Sequence, residues 1–528
     1  MKNLFKKISA ILIAAVMVLA MASTAFATSG DLAGNKPTAK DTGEVTISGL
    51  ALGDKVTLYK IVEAQYNNDG FYGYKAVTGV SIADTTTFVP SASEIETLAA
   101  QKLTSVKDAT DIVVNGESVT ISNLEIGSYL VKVTAGNGEV TVYNPMVVSV
   151  AYVAKENATK ILYGNVSAND SYEISNEEVY AKSSKENKPD KNIVDATGKI
   201  IVNGAAAGKG DAVAEGDTVN YKITGTIPEY NSKFYSSATY TIKDEVSSGL
   251  NLAKNTMEDL QDQANAKYGE GNVTVSVTGR NISIEFKKDF LVNLNKDLRS
   301  YSFTYSAVLN KTSVNFDART NTVKVNYSNT PTTTTDSKEV KTYHYTFAFN
   351  GDVTKVDENN NPLAGAEFGL FTDEACNTPA TNAQTGDQIK ATSTSINGNA
   401  EINFKGLDDK VYYMKEIATP SAEYKLNNTV YKVEFKPTFD ATGKMTQYVV
   451  TVTDTSNKKE TVNTYVPGDG NTAKISGNKS VTVIQNTKLG TLPSTGGMGT
   501  YLFTIIGVVV MAGAAGAFFI SRRKGSEE

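Results

Sequence analysis

The side chains that most often carry enzymatic chemistry are scarce in this sequence of 528 residues, which holds one histidine, one cysteine and no tryptophan. A Ser–His or Cys–His dyad would have to use His344, because no other imidazole is present. His344 lies in the segment YHYTFAF, whose alternation is typical of an ordinary strand. We therefore expect no enzyme, no metal site and no cofactor.

A more informative pattern lies near the C-terminus, where residues 491–497 read TLPSTGG. An LPxTG pentapeptide can occur in a loop by chance, because Pro and Gly mark turns. Here an uncharged stretch of 20 residues, 501–520, follows it, which is long enough to cross a hydrocarbon core of about 30 Å as a helix. The basic tail RRK, residues 522–524, comes next and would stay on the cytoplasmic side.

Pentapeptide, apolar stretch and basic tail, in that order, resemble the cell-wall sorting signal of Gram-positive surface proteins. The resemblance implies that a membrane transpeptidase, sortase, cuts between Thr495 and Gly496 and passes the Thr495 carbonyl to an amine. Sortase would recognise the five residues of the pentapeptide: Leu492, Pro493, Ser494, Thr495 and Gly496.

The N-terminus has the features of an export signal. Three lysines within residues 2–7 precede an apolar run at 8–20, and Ala25-Phe26-Ala27 is a small-x-small cleavage site. We expect a signal peptide at 1–27, a sorting signal with a transmembrane helix at 492–528, and a mature protein on the cell wall.

Composition limits the partners and the means of stabilisation. The formal net charge is −6, and without basic stripes such an acidic chain is not expected to bind nucleic acid. The single cysteine, Cys376, cannot form an intramolecular disulfide, although an exported protein would permit one. Some other device must therefore stabilise the domains.

Most of the mature chain has the pattern of short β-strands. The segment VTVSVTGRNISIEF, residues 273–286, alternates on both sides of a Gly279 turn as a hairpin does. Two helices are expected: one begins at Ser91 with capping-box spacing to Glu94, and one covers 256–269. Regular short strands favour an all-β chain of antiparallel sandwiches.

Two polar stretches, 181–191 and 329–341, have the composition of linkers. They divide the chain into three predicted domains of the immunoglobulin-like or collagen-adhesin type, at 28–180, 187–340 and 341–491.

Three segments of the third domain resemble the first, the Glu-bearing and the last strands of collagen-adhesin B-type domains. They are DVTKVDENNNPLAGAEFGLF with Lys355, VYYMKEIATPSAEY with Glu416 and VTVIQNTK with Asn486. The resemblance implies a spontaneous isopeptide bond between Lys355 and Asn486, promoted by Glu416. The alternative is three ordinary surface residues. A calcium loop at DENNN is not expected, because Pro362 stands where an EF-hand turn needs Gly.

This chemistry needs these residue types. A Lys amine has a reference pKa of about 10.4 and attacks only when neutral, so it must be buried. A carboxyl group buried beside it has its pKa raised, and as a neutral acid it can polarise the Asn carboxamide. Ammonia then leaves and an amide remains. In the loop-closure model such a link stabilises the fold by about 5 kcal/mol, which would replace the missing disulfides.

The middle domain resembles the isopeptide-forming second domain of major pilins. The matching segments are PDKNIV with Lys191, YTIKDEVSSGL with Asp244 and VNYSNTP with Asn329. The resemblance implies that they act as amine, proton-sharing acid and acceptor carboxamide, with Glu245 a rival acid and Lys188 a rival amine. The first domain resembles the N-terminal domain of the same pilins in LYKIVEA and LEIGSYLVKV, but no such set can be assigned to it.

In major pilins of Gram-positive bacteria, a Lys at the end of the first domain accepts the Thr carbonyl of the next subunit, usually within Tyr-Pro-Lys-Asn. Here Tyr180-Ala181-Lys182-Ser183 occupies that place and lacks the Pro and the Asn. The resemblance thus implies Lys182 as the acceptor, with Lys185 next. The alternative is an ordinary solvated linker lysine.

Two classes of function fit the sequence. In the first, the protein is the backbone subunit of a covalent head-to-tail pilus, whose partners are a pilin-specific sortase, identical subunits, minor pilins and peptidoglycan. In the second, it is a monomeric wall-anchored adhesin that binds a host or extracellular ligand. An acceptor lysine in the first interdomain segment separates the two, and three domains without a large adhesive region favour the pilus backbone.

Overall fold

The computed structural model describes residues 27–28, 35–82, 90–136, 138–310, 315–490 and 499–524. The described chain is mostly β-structure, in three successive units that each bury an apolar core between sheets. This confirms the predicted all-β sandwich class. The signal peptide before Ala27 and the pentapeptide at 492–496 lie outside the described residues.

The first unit has a six-stranded and a five-stranded sheet. Its helix α1, Ala92–Ala99, begins with the predicted capping box, since Ser91 Oγ accepts from Glu94 N and Glu94 Oε2 accepts from Ser91 N at 2.7 Å. The strands are β1 Ala27–Thr28, β2 Thr42–Ser48, β3 Lys55–Tyr66, β4 Phe71–Ala76, β5 Ile112–Val113, β6 Ser118–Glu125, β7 Gly127–Thr134, β8 Val140–Tyr143, β9 Met146–Val150, β10 Tyr152–Ala154, β11 Asn157–Ile161 and β12 Tyr172–Tyr180.

The second unit packs a four-stranded sheet, in the order β14-β16-β21-β18, against a seven-stranded one. The predicted hairpin at 273–286 is present as β19 and β20, and the predicted helix as α2, Thr256–Tyr268. A short helix α3 covers Lys288–Leu291. The strands, with the connecting β13, are β13 Ser183–Glu186, β14 Asp190–Val194, β15 Gly210–Ala212, β16 Thr218–Thr226, β17 Tyr240–Val246, β18 Leu250–Leu252, β19 Val273–Thr278, β20 Asn281–Phe286, β21 Ser300–Leu309, β22 Arg319–Thr330, β23 Thr333–Asp336 and β24 Val340–Tyr345.

The third unit also has a four-stranded and a seven-stranded sheet. Its first and last strands, β25 and β35, lie side by side and parallel, which brings the two ends of this unit together. The strands are β25 Val353–Val356, β26 Glu367–Phe371, β27 Lys390–Thr392, β28 Thr394–Ile396, β29 Asn399–Glu401, β30 Tyr412–Ala418, β31 Tyr431–Phe439, β32 Met445–Asp454, β33 Glu460–Pro467, β34 Ala473–Ile475 and β35 Thr482–Gln485.

The two stretches predicted as linkers are built into the sheets. The segment 329–341 contains the end of β22, all of β23 and the start of β24, and β22 pairs with both β23 and β24. In the stretch 181–191, β13 pairs with β8 of the first unit. Successive units are therefore joined by hydrogen-bonded strands.

Apolar residues also cross between the units. Val140 and Val142 of β8 are buried in the core of the second unit, and Ala206, Ala212 and Phe316 of the second unit are buried in the core of the third. Burial of apolar surface at both joints opposes free rotation of the units.

A long helix, α4, covers Gly499–Lys524 and gives the predicted helical region after the pentapeptide. Among the described residues, no helix is both long and apolar enough to cross a membrane. The transmembrane role of this segment therefore stays a prediction from the sequence.

Candidate functional site: two buried lysine, acid and asparagine clusters

The third unit places its three predicted residues in one buried cluster. Lys355, on the first strand, lies opposite Ile484 of the last strand, and the backbone N–H of Asn486 donates to the Val356 carbonyl at 2.9 Å. Glu416 comes from β30 in the facing sheet. All three side chains are at most 1% exposed, so the surface-residue alternative does not describe them.

Glu416 connects to the acceptor carboxamide directly. Its Oε1 accepts a hydrogen bond from Asn486 Nδ2 at 2.8 Å, and its Oε2 accepts one from the Asn427 backbone N–H at 2.7 Å. Asn486 Oδ1 has no hydrogen-bond partner among the described residues. A buried carbonyl oxygen without a donor can accept a further hydrogen bond.

Burial favours the neutral form of the Lys355 amine. It lowers the pKa of this amine to about 8, while the nearby Glu416 carboxylate opposes the shift. Its Nζ donates to the backbone carbonyls of Val356 at 3.3 Å and Ile484 at 3.2 Å. The site therefore increases the fraction of neutral, nucleophilic amine at physiological pH.

The second unit brings Lys191 and Asp244 together as predicted. Both are buried, Lys191 Nζ forms a short ion pair with Asp244 Oδ2, and it also donates to the Tyr305 hydroxyl at 2.7 Å. Burial lowers the pKa of Lys191 to about 8 and raises the pKa of Asp244, although each charge opposes the shift of the other. These shifts favour a neutral amine beside a neutral acid.

The structure does not bring Asn329 to this pair, and in this respect it differs from the prediction. Asn329 lies at the joint with the first unit, where its Oδ1 accepts from Thr333 Oγ1 at 3.0 Å and its backbone carbonyl from the Tyr235 hydroxyl at 3.3 Å. Asn321, on the same strand β22, occupies the site instead, because its Nδ2 donates to the Tyr305 hydroxyl at 2.7 Å. The two asparagines are about 26 Å apart at roughly 3.3 Å per strand residue.

Asn321 is a candidate acceptor that the sequence did not point to. It is fully buried, and its Oδ1 has no hydrogen-bond partner among the described residues, as for Asn486 in the third unit. Tyr305 was missed as well, although its hydroxyl donates to Asp244 Oδ1 at 2.8 Å and so contacts amine, acid and carboxamide. Alternation in β21 and β22 indicated which face these residues take, but not which of them lies opposite Lys191.

The rival residues take other positions. Glu245 follows Asp244 on β17 and is exposed on the opposite face, as strand alternation requires. Lys188 lies before β14 and its backbone N–H donates to Glu139 Oε2 at 2.7 Å. Neither residue reaches the cluster through any hydrogen bond among the described residues.

The predicted acceptor Lys182 lies at the first joint. It stands between β12 and β13, its side chain is exposed, and its carbonyl accepts from the Asn144 N–H at 2.9 Å. Lys185 is also exposed, on β13 opposite Thr141. Both residues are exposed, so the geometry leaves both as candidates. Thr495 lies outside the described residues.

The lone histidine and cysteine have different environments. His344 is fully buried, and burial lowers its pKa to about 3. Cys376 is half-buried in a turn with a backbone φ of +56°. Burial raises the pKa of the Cys376 thiol, so it is less reactive than an ordinary surface cysteine.

Three family models match this chain. They are the T6 antigen Ig-like domain at residues 40–183, a prealbumin-like fold domain at 350–448 and the LPXTG cell wall anchor motif at 484–527. The trypsin-resistant surface T6 protein of Streptococcus pyogenes serotype M6 is 29% identical, over 92% of this chain and 95% of its own length. This chain is a homologue of the T6 backbone pilin.

Solved pilin structures are similar to this chain. The T6 backbone pilin of serotype M6 S. pyogenes, described as a modular three-domain structure, matches with a TM-score of 0.55 at 20% identity, covering 86% of this chain and all of that one. The full-length major pilin SpaD of Corynebacterium diphtheriae matches at 0.45 and 18% identity, covering 87% and 100%. The pilin is thus a structural, wall-anchored surface protein and not an enzyme.

Proposed function

We propose that this protein is the shaft-forming subunit of a covalent pilus, in which Thr495 of one subunit is joined to Lys182 of the next. In the joining step a pilin-specific sortase breaks the Thr495–Gly496 peptide bond and forms an amide between the Thr495 carbonyl and Lys182 Nζ. The segment from Gly496 leaves with its new amino terminus. Minor pilins and peptidoglycan are the further partners of the fibre.

The pair of buried clusters supports the proposal. A covalent bond at each cluster would carry tension directly from one end of its unit to the other, past the residues in between. Tension that enters at Lys182 and leaves at Thr495 passes through the second and third units only. We assign a Lys191–Asn321 isopeptide bond to the second unit and a Lys355–Asn486 bond to the third. With both bonds, most of the chain in these units is bypassed by covalent links and cannot be extended.

Each cross-link forms by the same balanced reaction. The neutral Lys amine attacks the Asn carbonyl carbon, the new C–N bond forms, and the bond from that carbon to Nδ2 breaks. The acid, Asp244 or Glu416, passes the proton released by the amine to the departing nitrogen, which leaves as ammonia. No oxidant or cofactor is needed.

An immunoblot of cell-wall extract from the native host, boiled in detergent, tests the fibre and its acceptor. Wild type is expected to give a high-mass ladder, and Lys182→Ala a monomer band, with Lys188→Ala as the matched control that keeps the ladder. A ladder that survives Lys182→Ala but not Lys185→Ala would move the acceptor to Lys185. A single monomer band in wild type would contradict the pilus and leave the monomeric adhesin.

A further inference from the structure

A loop of the third unit connects the acid of its cluster to the part of the chain that carries the acceptor. The loop, residues 419–430, runs from β30 to β31 and lies beside the residues that follow β35. Its Glu423 carbonyl accepts from the Leu489 N–H at 2.7 Å. Its Lys425 N–H donates to the Thr487 carbonyl at 2.9 Å. Backbone hydrogen bonds therefore fix this loop against the last residues of the third unit.

Asn427 of this loop makes three hydrogen bonds at the cluster. Its backbone N–H donates to Glu416 Oε2 at 2.7 Å, and its Nδ2 donates to the Gln485 carbonyl at 3.0 Å. Its Oδ1 accepts from the Thr429 N–H at 2.8 Å, which closes a turn typical of asparagine. Because Gln485 directly precedes Asn486, this one residue links the acid to the strand of the acceptor.

The two oxygens of the Glu416 carboxyl group have different partners. Oε1 lies 2.8 Å from Asn486 Nδ2, the nitrogen that leaves as ammonia in the cross-linking reaction. Oε2 accepts from the Asn427 N–H. A backbone N–H can donate but cannot accept, so a hydrogen on Oε2 would point at another hydrogen. When Glu416 is neutral, its proton therefore lies on Oε1, beside the departing nitrogen.

The acid of the second unit is held in another way. Asp244 Oδ2 pairs with the Lys191 amine, and its Oδ1 accepts from the Tyr305 hydroxyl. A hydroxyl can donate or accept, so it does not dictate which oxygen carries a proton. A substitution at Asn427 should consequently leave the cross-link of the second unit unchanged.

We propose that Asn427 is a positioning residue for the cross-link of the third unit. Its N–H keeps the proton of Glu416 on the oxygen that contacts Asn486, and its side chain holds the loop against the strand of the acceptor while Lys355 attacks. Proton transfer is efficient only when the acid lies within hydrogen-bond reach of the atom it protonates. This inference rests on the proposed Lys355–Asn486 bond.

The rate of cross-linking in the mature chain, residues 28–495, tests the inference. Digests of freshly made chain are taken at timed intervals, and the peptide in which Lys355 is joined to Asn486 is quantified. Asn427→Pro removes the N–H, and Asn427→Ala keeps it but removes both side-chain bonds. Each is expected to slow the reaction about tenfold, as for one lost positioning hydrogen bond.

A conservative variant distinguishes positioning from a general loss of packing. In Asn427→Ser the hydroxyl can accept from the Thr429 N–H and restore the turn that orients the residue 427 N–H. This variant is expected to react faster than Asn427→Ala. Folding is compared by thermal unfolding in the Asn486→Ala chain, which cannot form the bond, so that the cross-link does not mask a change of stability.

Asn457 provides a matched control. It lies in another turn of the third unit, where its Oδ1 accepts from the Lys459 N–H at 2.8 Å and its Nδ2 donates to Asp454 Oδ2 at 2.9 Å. Asn457→Ala is expected to cross-link at the wild-type rate, and the joined peptide of the second unit is an internal standard.

Two results would overturn the inference. One is a wild-type rate in folded Asn427→Pro and Asn427→Ala, and the other is an Asn427→Ser chain as slow as Asn427→Ala. If wild type itself forms no Lys355–Asn486 peptide, the proposed bond fails first, and this outcome is distinct from both.

Discussion

Lys191 and Asn321 lie on opposite sheets of the second unit, and their side chains bond to the same atom, the hydroxyl oxygen of Tyr305. This hydroxyl also donates to Asp244, so Tyr305 contacts the proposed nucleophile, acid and acceptor at once. The arrangement replaces the acid-to-carboxamide contact of the third unit with a contact through Tyr305. The two cross-links should therefore respond differently to substitution.

The first prediction concerns which asparagine of the second unit is joined to Lys191. We expect the wild-type chain 28–495 to weigh two ammonia molecules less than its sequence, and Asn321→Ala to weigh one less. Asn329→Ala is the matched control and is expected to keep both losses, because Asn329 contacts the joint and not Lys191. Intact mass spectrometry measures the number of ammonia molecules lost, and a digest is then examined for the peptide in which Lys191 is joined to Asn321. A joined Lys191–Asn329 peptide would show the assignment to be wrong.

Tyr305 should affect only the second unit. Tyr305→Phe removes the hydroxyl that contacts Lys191, Asp244 and Asn321, so the bond is expected to form at least about tenfold more slowly. The third unit should cross-link at its normal rate. Mass measured at timed intervals after synthesis checks this, and an unchanged rate for both units would exclude the role of Tyr305.

Glu416 should determine the stability of the third unit. In Glu416→Ala the Asn486 carboxamide loses its acid, the bond is not expected to form, and the unit loses about 5 kcal/mol of loop-closure stabilisation. Asn486→Ala keeps the acid but lacks the acceptor and should lose as much. Thermal unfolding followed by circular dichroism measures both. A Glu416→Ala chain with the full mass deficit would contradict the catalytic role.

The rate of the second cross-link should depend on pH as a coupled pair does. The reactive state holds one proton on Asp244 and none on Lys191, so it has the same proton count as the ion pair. The rate should be level below pH 8 and fall above it. The pKa of Lys191 is lowered to about 8, so above this pH the pair loses its one proton to solvent and the reactive state is no longer populated. The rate of ammonia loss is measured on freshly made chain at pH values from about 6 to about 10. A rate that rises steadily above pH 8 would argue for an amine acting without the acid.

His344 should make the second unit sensitive to acid. Its folded pKa is lowered to about 3 and its unfolded value is about 6.5, so the unfolded chain binds more protons between these values and stability falls as pH falls. Between pH 6.5 and 4.5 the loss should be roughly 2–3 kcal/mol. His344→Gln removes this contribution, so its melting temperature should fall less over the same range. Equal losses in both proteins would show that His344 is not held neutral by the fold.

Different parts of this molecule were predictable to different degrees. The capping box at Ser91, the hairpin around Gly279 and the helix at Thr256 depend on residues close in sequence, so local chemistry was enough to place them. The stretch 329–341 was read as a linker because it is polar. It forms strands because β23 and the start of β24 both pair with β22.

The sequence by itself determined the sorting motif and the all-β class, since each depends on composition or on short motifs, and the resemblance to collagen-adhesin B-type domains implied the set Lys355, Glu416 and Asn486. Only the tertiary structure decided that Asn321 stands beside Tyr305 and that Asn329 does not. The two asparagines lie on the same strand, β22, but its pairing is irregular between Ser328 and Thr330, around Asn329. Alternation sets the face of a strand, but the residue that meets Lys191 depends on how the two sheets pack, which the local sequence does not record.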